Sequence, residues 1–149
     1  MTVERDNREL ARRWNEEVFE KRNLDAIGDL VAEEFVGYDP GLPAPIRGPD
    51  GVREAIEMVL SAFPDMQVKL EAVVAEGDRI AVRNSITGTH DGEYMGIEPT
   101  GEEVETMVVA FQRIEDGRLI EERQLVDRLA MLQQLGAVEP PNPTRRGRR

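Results

Sequence analysis

The chain has no cysteine and a single histidine, His90. Without thiols there is no disulfide, no cysteine nucleophile and no thiolate metal site, and one imidazole cannot build a multi-histidine centre. No thiolate or multi-histidine metal site is therefore expected. Lysine is nearly absent as well, since Lys21 and Lys69 are the only two among 19 basic residues, which face 30 acidic ones. The resulting net charge of −11 argues against nucleic acid as a partner, because phosphate binding needs concentrated positive charge. No apolar run approaches the roughly 18 residues of a membrane helix, and the opening MTVERDNREL lacks the apolar core of a secretion signal. These absences predict a cytoplasmic protein with no membrane partner.

What is present suits one well-buried core. A length of 149 residues is too short for two ordinary domains, so a single domain over 1–136 is expected. It is followed by an extended Pro/Arg-rich tail over 137–149, in which Arg145, Arg146, Arg148 and Arg149 follow Pro140, Pro141 and Pro143.

Helices come first and strands afterwards. From Val3 to Lys21 the apolar residues Val3, Leu10, Ala11, Trp14 and Val18 follow a helical stripe. A second helix is predicted over Leu24 to Ala32, with Asn23 placed to cap it, followed by a short strand Phe35–Tyr38. After the proline-rich turn DPGLPAPIRG, Pro49 opens a third helix that carries Val52, Ile56, Val59, Leu60 and Phe63 inward. Four strands follow, at about Gln67–Glu76, Arg79–Thr89, Glu103–Ile114 and Arg118–Asp127. Gly77-Asp78 and Asp116-Gly117 join them as hairpin turns. A last helix, Arg128 to Leu135, stops at Gly136.

This order predicts an α+β fold: a cone-shaped α+β barrel in which a curved, mostly antiparallel sheet wraps around N-terminal helices. Such a cone is apolar inside and open at one end, which suits a small apolar, oxygenated molecule. Period-two alternation selects the side chains that enter it. On one strand Asn84 shares a face with Ile80, Val82 and Ile86. On the next, Val104, Thr106, Val108, Ala110 and Gln112 share a face, while Met107, Val109 and Phe111 make the opposite face apolar too, so cover is expected on both sides. On the last strand Ile120, Glu122, Gln124 and Val126 face one way and Leu119, Arg123 and Leu125 the other. The long loop Thr87–Gly101, TGTHDGEYMGIEPTG, holds His90 and forms a plausible rim.

Four segments together resemble a known family: ARRWNEEVFEKRNLDAIGDLVAEEFVGYDP, RGPDGVREAIEMVLSAFPDMQV, EGDRIAVRNSITGTHDGEYMGIEPTG and FQRIEDGRLIEERQLVDRLAMLQQLG, in that order and spacing. The chain is similar to the SnoaL-like polyketide cyclases, or ester cyclases, over roughly Glu9 to Gly136. The resemblance implies a nuclear transport factor two-like (cystatin-like) cone and a homodimer formed by sheet faces. It also implies a cofactor-free aldol ring closure in which a carboxylate removes a proton next to a carbonyl. The family's aspartate for that step falls at Gln124, which has no titratable proton. Ala110, Glu122 and Tyr38 occupy further positions that are usually polar or histidine, whereas Asp39 of GYDP matches.

Three readings stay open. In the first, Glu122 or Asp39 is the acid/base and Tyr38, Asn84 or His90 donates to an enolate; burial in an apolar cavity would raise such a carboxyl toward working pH. The second is a ligand-binding or accessory protein without catalysis, as Gln124 and Ala110 suggest. The third is isomerisation or epoxide hydrolysis, which needs paired inward carboxylates. Trp14, Phe63, Val108 and Asp127 complete the candidate pocket, with core packing the competing role for Trp14 and Phe63 and helix capping for Asp127.

Overall fold

The computed structural model describes residues 2–139. The sheet is α+β in its setting, with helices packed on one face, and its six strands run in the order β2-β1-β6-β5-β4-β3. The elements are α1 (Val3–Trp14), α2 (Ile27–Leu30), β1 (Val31–Tyr38), β2 (Ile46–Arg47), α3 (Gly48–Ala62), β3 (Gln67–Glu76), β4 (Arg79–Thr89), β5 (Glu103–Glu115), β6 (Arg118–Val126) and α4 (Arg128–Gln134). The predicted tail from residue 140 onward lies outside the described residues.

The helix α1 starts where Thr2 accepts a hydrogen bond from Arg5 N at 3.2 Å, a side-chain N-cap. Its apolar stripe buries Leu10 and Ala11, and Asn7 donates to Gly77 O at 3.1 Å, fastening the helix to the β3–β4 turn. Beyond Trp14 the chain continues helically but loosens into a π-helical stretch, Asn15–Glu20. Such wide turns are uncommon and often serve a site. This one rotates Asn15 inward while Val18 becomes fully buried.

The second predicted helix is much shorter than expected. A 3₁₀ turn, Leu24–Ala26, leads into four residues of α2, and Asn23 makes no cap bond; its side chain donates to Glu17 instead. Strand β1 then begins at Val31, within the stretch predicted helical, because Val31, Ala32 and Phe35 are all buried and Val31 pairs with Leu119. Burial of Leu30 and Val31, at 0% and 1% exposure, contributes about 1.5–3 kcal/mol each, which outweighs a weak local preference for helix.

The four long strands lie where alternation placed them and pair antiparallel in sequence. Asp116 and Gly117 both take positive φ (51° and 76°), the twist a two-residue hairpin requires. Strand β1 is the exception to the antiparallel pattern, since it runs parallel to β6 with Gly37 opposite Glu122 and Tyr38 opposite Arg123. A register shift between Arg113 and Ile114 leaves Ile120 unpaired on β6. Ile120 was expected inward with Glu122, but the bulge turns Leu119 inward in its place, at 4% exposure.

The described helices cover the same side, so among the described residues the expected second cover over β5 is missing. Met107, Phe111 and Leu125 stand 42%, 72% and 59% exposed on the outer face. No helix of the described residues is long and apolar enough to cross a membrane.

Candidate active site

The sheet curls around α1 and α3 to enclose a cavity of about 220 Å³. Apolar walls come from Trp14, Phe19, Phe35, Phe63, Val108 and Ala110, among others. Three sets of polar groups stand in the lining, two of them built by residues far apart in the chain and one across a hairpin.

The first set is centred on Asp39, whose side chain is 2% exposed. Arg128, the first residue of α4, grips it with two parallel bonds, Nη1 to Oδ1 at 2.7 Å and Nη2 to Oδ2 at 2.8 Å. Gln124 Nε2 donates to Oδ2 at 2.8 Å, and Gly41 N to Oδ1 at 2.9 Å. Burial pushes the Asp39 carboxyl up, yet Arg128, Gln124 and Gly41 together hold it below the usual carboxylate range. Asp39 is therefore an ionised anchor and a poor proton acceptor. A Cβ at Gly41 would stand 2.1 Å from Arg128 Nη1, so a side chain there would have to push the guanidinium off its place on Asp39.

Glu122 forms the second set. It lies two residues before Gln124 on the inward face of β6 and accepts from Gln112 Nε2, its cross-strand neighbour, at 2.5 Å. Although half-buried by surface, it opens onto the cavity rather than onto bulk water. Burial pushes its carboxyl up; the Gln112 bond pulls the other way, and the nearby negative charge of Asp39 adds a further upward push. The net effect is a raised pKa in an apolar enclosure. The two carboxylates of the lining thus diverge, one held ionised and one made harder to ionise, as in sites that divide acid and base work.

The third set was only half visible in the sequence, which placed Asn84 inward but gave no sign of Asn15. Asn15, 6% exposed at the start of the π-helical stretch, donates from Nδ2 to Asn84 Oδ1 at 3.1 Å. That bond occupies the carbonyl of Asn84, leaving its N–H groups without a partner among the described residues. Asn15 and Asn84 both line the cavity.

The remaining candidates divide. Trp14, Tyr38, Phe63 and Val108 line the cavity; Tyr38 sits under Arg123, whose guanidinium carbon is 4.2 Å from the ring centroid. Asp127 does not line it, and its Oδ1 instead accepts from Ala130 N at 3.0 Å as the N-cap of α4. By fixing the start of α4 it aims Arg128. His90 also lies outside the lining and is fully buried beneath the loop. Thr100 N donates to its Nδ1 at 3.1 Å, so in the neutral ring Nε2 bears the hydrogen, buried without a partner among the described residues. The ring braces the loop against Phe63, at 5.5 Å between centroids, instead of facing a ligand. Gly92 N, bonded to Ala62 O at 3.0 Å, docks the same loop on the end of α3.

A family model described as SnoaL-like polyketide cyclase matches residues 9–135. Among solved structures, IdmH from Streptomyces antibioticus, described as a candidate polyketide cyclase, is 31% identical with a TM-score of 0.75, covering 86% of this chain and 96% of that one. A candidate SnoaL-like polyketide cyclase from Jannaschia sp. CCS1 gives 25% identity and a TM-score of 0.84 over 95% of this chain and 97% of that one. TsrD from Streptomyces laurentii gives 25% identity and 0.81 over 93% and 100%. No curated protein matches at a significant level.

Proposed function

Because the chain belongs to the SnoaL-like polyketide cyclase family, we propose that its cone binds a small, apolar, oxygenated molecule and carries out cofactor-free carbon-acid chemistry with Glu122 as the acid/base. The observation that carries this reading is the Glu122 carboxyl, raised by burial inside the apolar cavity and held toward it by Gln112. A carboxylate in that setting is a stronger base than in water and, once protonated, a usable acid. Asn84, with its carbonyl taken by Asn15, has N–H groups to offer an oxygen elsewhere on the ligand.

In the step, the Glu122 carboxylate takes the proton α to a ketone, leaving an enolate. The enolate carbon attacks a second carbonyl of the same molecule, forming a C–C bond and an alkoxide. Glu122 returns its proton to that alkoxide, so no co-reactant is consumed. The substrate is uncharged in this scheme, since Arg128, the cationic residue of the lining, is already committed to Asp39. The same reading includes a homodimer that covers Met107, Phe111 and Leu125 of the outer sheet face.

A second reading, binding without catalysis, is favoured by Gln124 and Ala110 at positions where the family resemblance leads one to expect polar or acidic groups. One experiment separates the two. Exchange of the α-protons of 2-tetralone for deuterium is followed by proton NMR with wild-type protein and with Glu122→Gln. The catalytic reading expects wild type to accelerate exchange and Glu122→Gln to lose about 100-fold or more of that acceleration. Binding of the ketone with no acceleration would sink it in favour of the second reading.

A further inference from the structure

We propose that Gln124 is a specificity residue: its amide, locked by Asp39, offers a carbonyl oxygen to the cavity and selects a ligand that carries a phenolic or enolic hydroxyl besides its ketone. This deepens the function proposed above and rests on it.

A free glutamine side chain can turn its amide over and present either N–H or C=O. Gln124 cannot do so at equal cost. Its partner Asp39 is ionised and can only accept, so the NH₂ end has to face it, at 2.8 Å. Asp39 cannot turn either, because both of its oxygens are held by Arg128 and Oδ1 also takes the Gly41 N–H. Arg128 in turn is fixed by the capped start of α4 and by the absence of a side chain at Gly41. The orientation of one amide thus depends on three segments of chain closing on each other.

The consequence falls on Oε1. It lies at the other end of the amide, on a residue that lines the cavity, and it has no partner among the described residues. Glu122, its neighbour on the same strand face, does not use it, since Glu122 is joined to Gln112. A ligand hydroxyl can donate to this oxygen where a methyl ether of nearly the same shape cannot. Asn84 has the reverse polarity, because Asn15 has taken its oxygen. The cavity therefore presents the Asn84 N–H groups and a fixed acceptor at Gln124, with Gln124 lying between Asn84 and Glu122 along the sheet. A hydroxyl at one end and a carbonyl at the other match that order.

The test compares 6-hydroxy-1-tetralone with 6-methoxy-1-tetralone by titration calorimetry. Wild type is expected to bind the hydroxy compound about tenfold more tightly, the effect of one well-placed hydrogen bond. Gln124→Met should bring the ratio to about one by weakening the hydroxy compound alone. Asp39→Asn, which lets the amide turn, should cut the preference below about threefold. Equal affinities in wild type, or a tenfold preference that survives Gln124→Met, would overturn the acceptor role and leave the pocket reading standing. Failure of both compounds to bind at millimolar concentration would overturn both readings.

Discussion

Removing Arg128 tests the polar lock on which the site depends. Asp39 accepts four hydrogen bonds, two of them from Arg128. In Arg128→Met the carboxylate, 2% exposed, keeps only the two neutral donors, Gln124 and Gly41. Taking one partner from a buried ion pair costs about 3–5 kcal/mol. The Arg128 side chain is itself 18% exposed, so water can reach part of the gap and the lower end, about 3 kcal/mol, applies. For a chain of this size that corresponds to a fall in melting temperature of roughly 6–12 °C. The loss should also depend on pH, with a sign that follows from linkage. In wild type the Asp39 carboxyl is held low, so its stabilisation is present above the ordinary carboxylate range and disappears as pH falls through the lower folded value. In the variant burial dominates, the carboxyl titrates high, and its penalty vanishes once it is protonated. The gap between the two proteins should therefore close on acidification from pH 7 to pH 3. A further consequence is that Gly41→Ala should destabilise wild type but be tolerated in Arg128→Met, because the atom its Cβ would meet is gone. Thermal melts followed by circular dichroism read all of this. A drop smaller than about 2 °C, or a gap that stays constant with pH, would refute the reasoning.

Two more predictions concern Glu122 and the outer sheet. Glu122 has a raised folded pKa, so its ionisation opposes folding as pH rises through and above that value. Glu122→Gln should then melt higher than wild type at pH 8 and equal to it near pH 4, and a variant less stable at pH 8 would contradict the assigned burial. Phe111→Glu, placed on the exposed apolar row with Met107 and Leu125, should leave the fold intact and convert a dimer to a monomer in analytical ultracentrifugation. A wild-type protein that sediments as a monomer at micromolar concentration would remove the sheet-face dimer.

Much of the fold was legible because it is written in local patterns. Period-two alternation put Asn84, Val108, Ala110, Glu122 and Gln124 on the inward faces, where the cavity lining has them. Asp116-Gly117 and Gly136 marked a turn and a helix end through their positive φ angles. The failures arise where a distant partner or a register shift decides. Val31 reads as the end of a helix until its partner Leu119 is known, and the bulge that exchanges Ile120 for Leu119 leaves no mark in the alternation. His90, conspicuous as the sole imidazole, braces a loop and does not line the cavity.

By itself the sequence determined the order of the longer elements, the family, and which faces of the long strands turn inward, since these are carried by patterns along the chain, whereas the two-residue strand β2 within the proline-rich turn went unread. Only the tertiary structure decided what the inward polar groups are free to do. Gln124 meets Asp39 across 85 positions, Arg128 meets it across 89, and Asn15 meets Asn84 across 69. A side chain's type gives its donors and acceptors, but its partners decide which of them remain for a ligand. Asp39 is thereby spent as an anchor, Glu122 is left to titrate, and Gln124 is turned to show its oxygen.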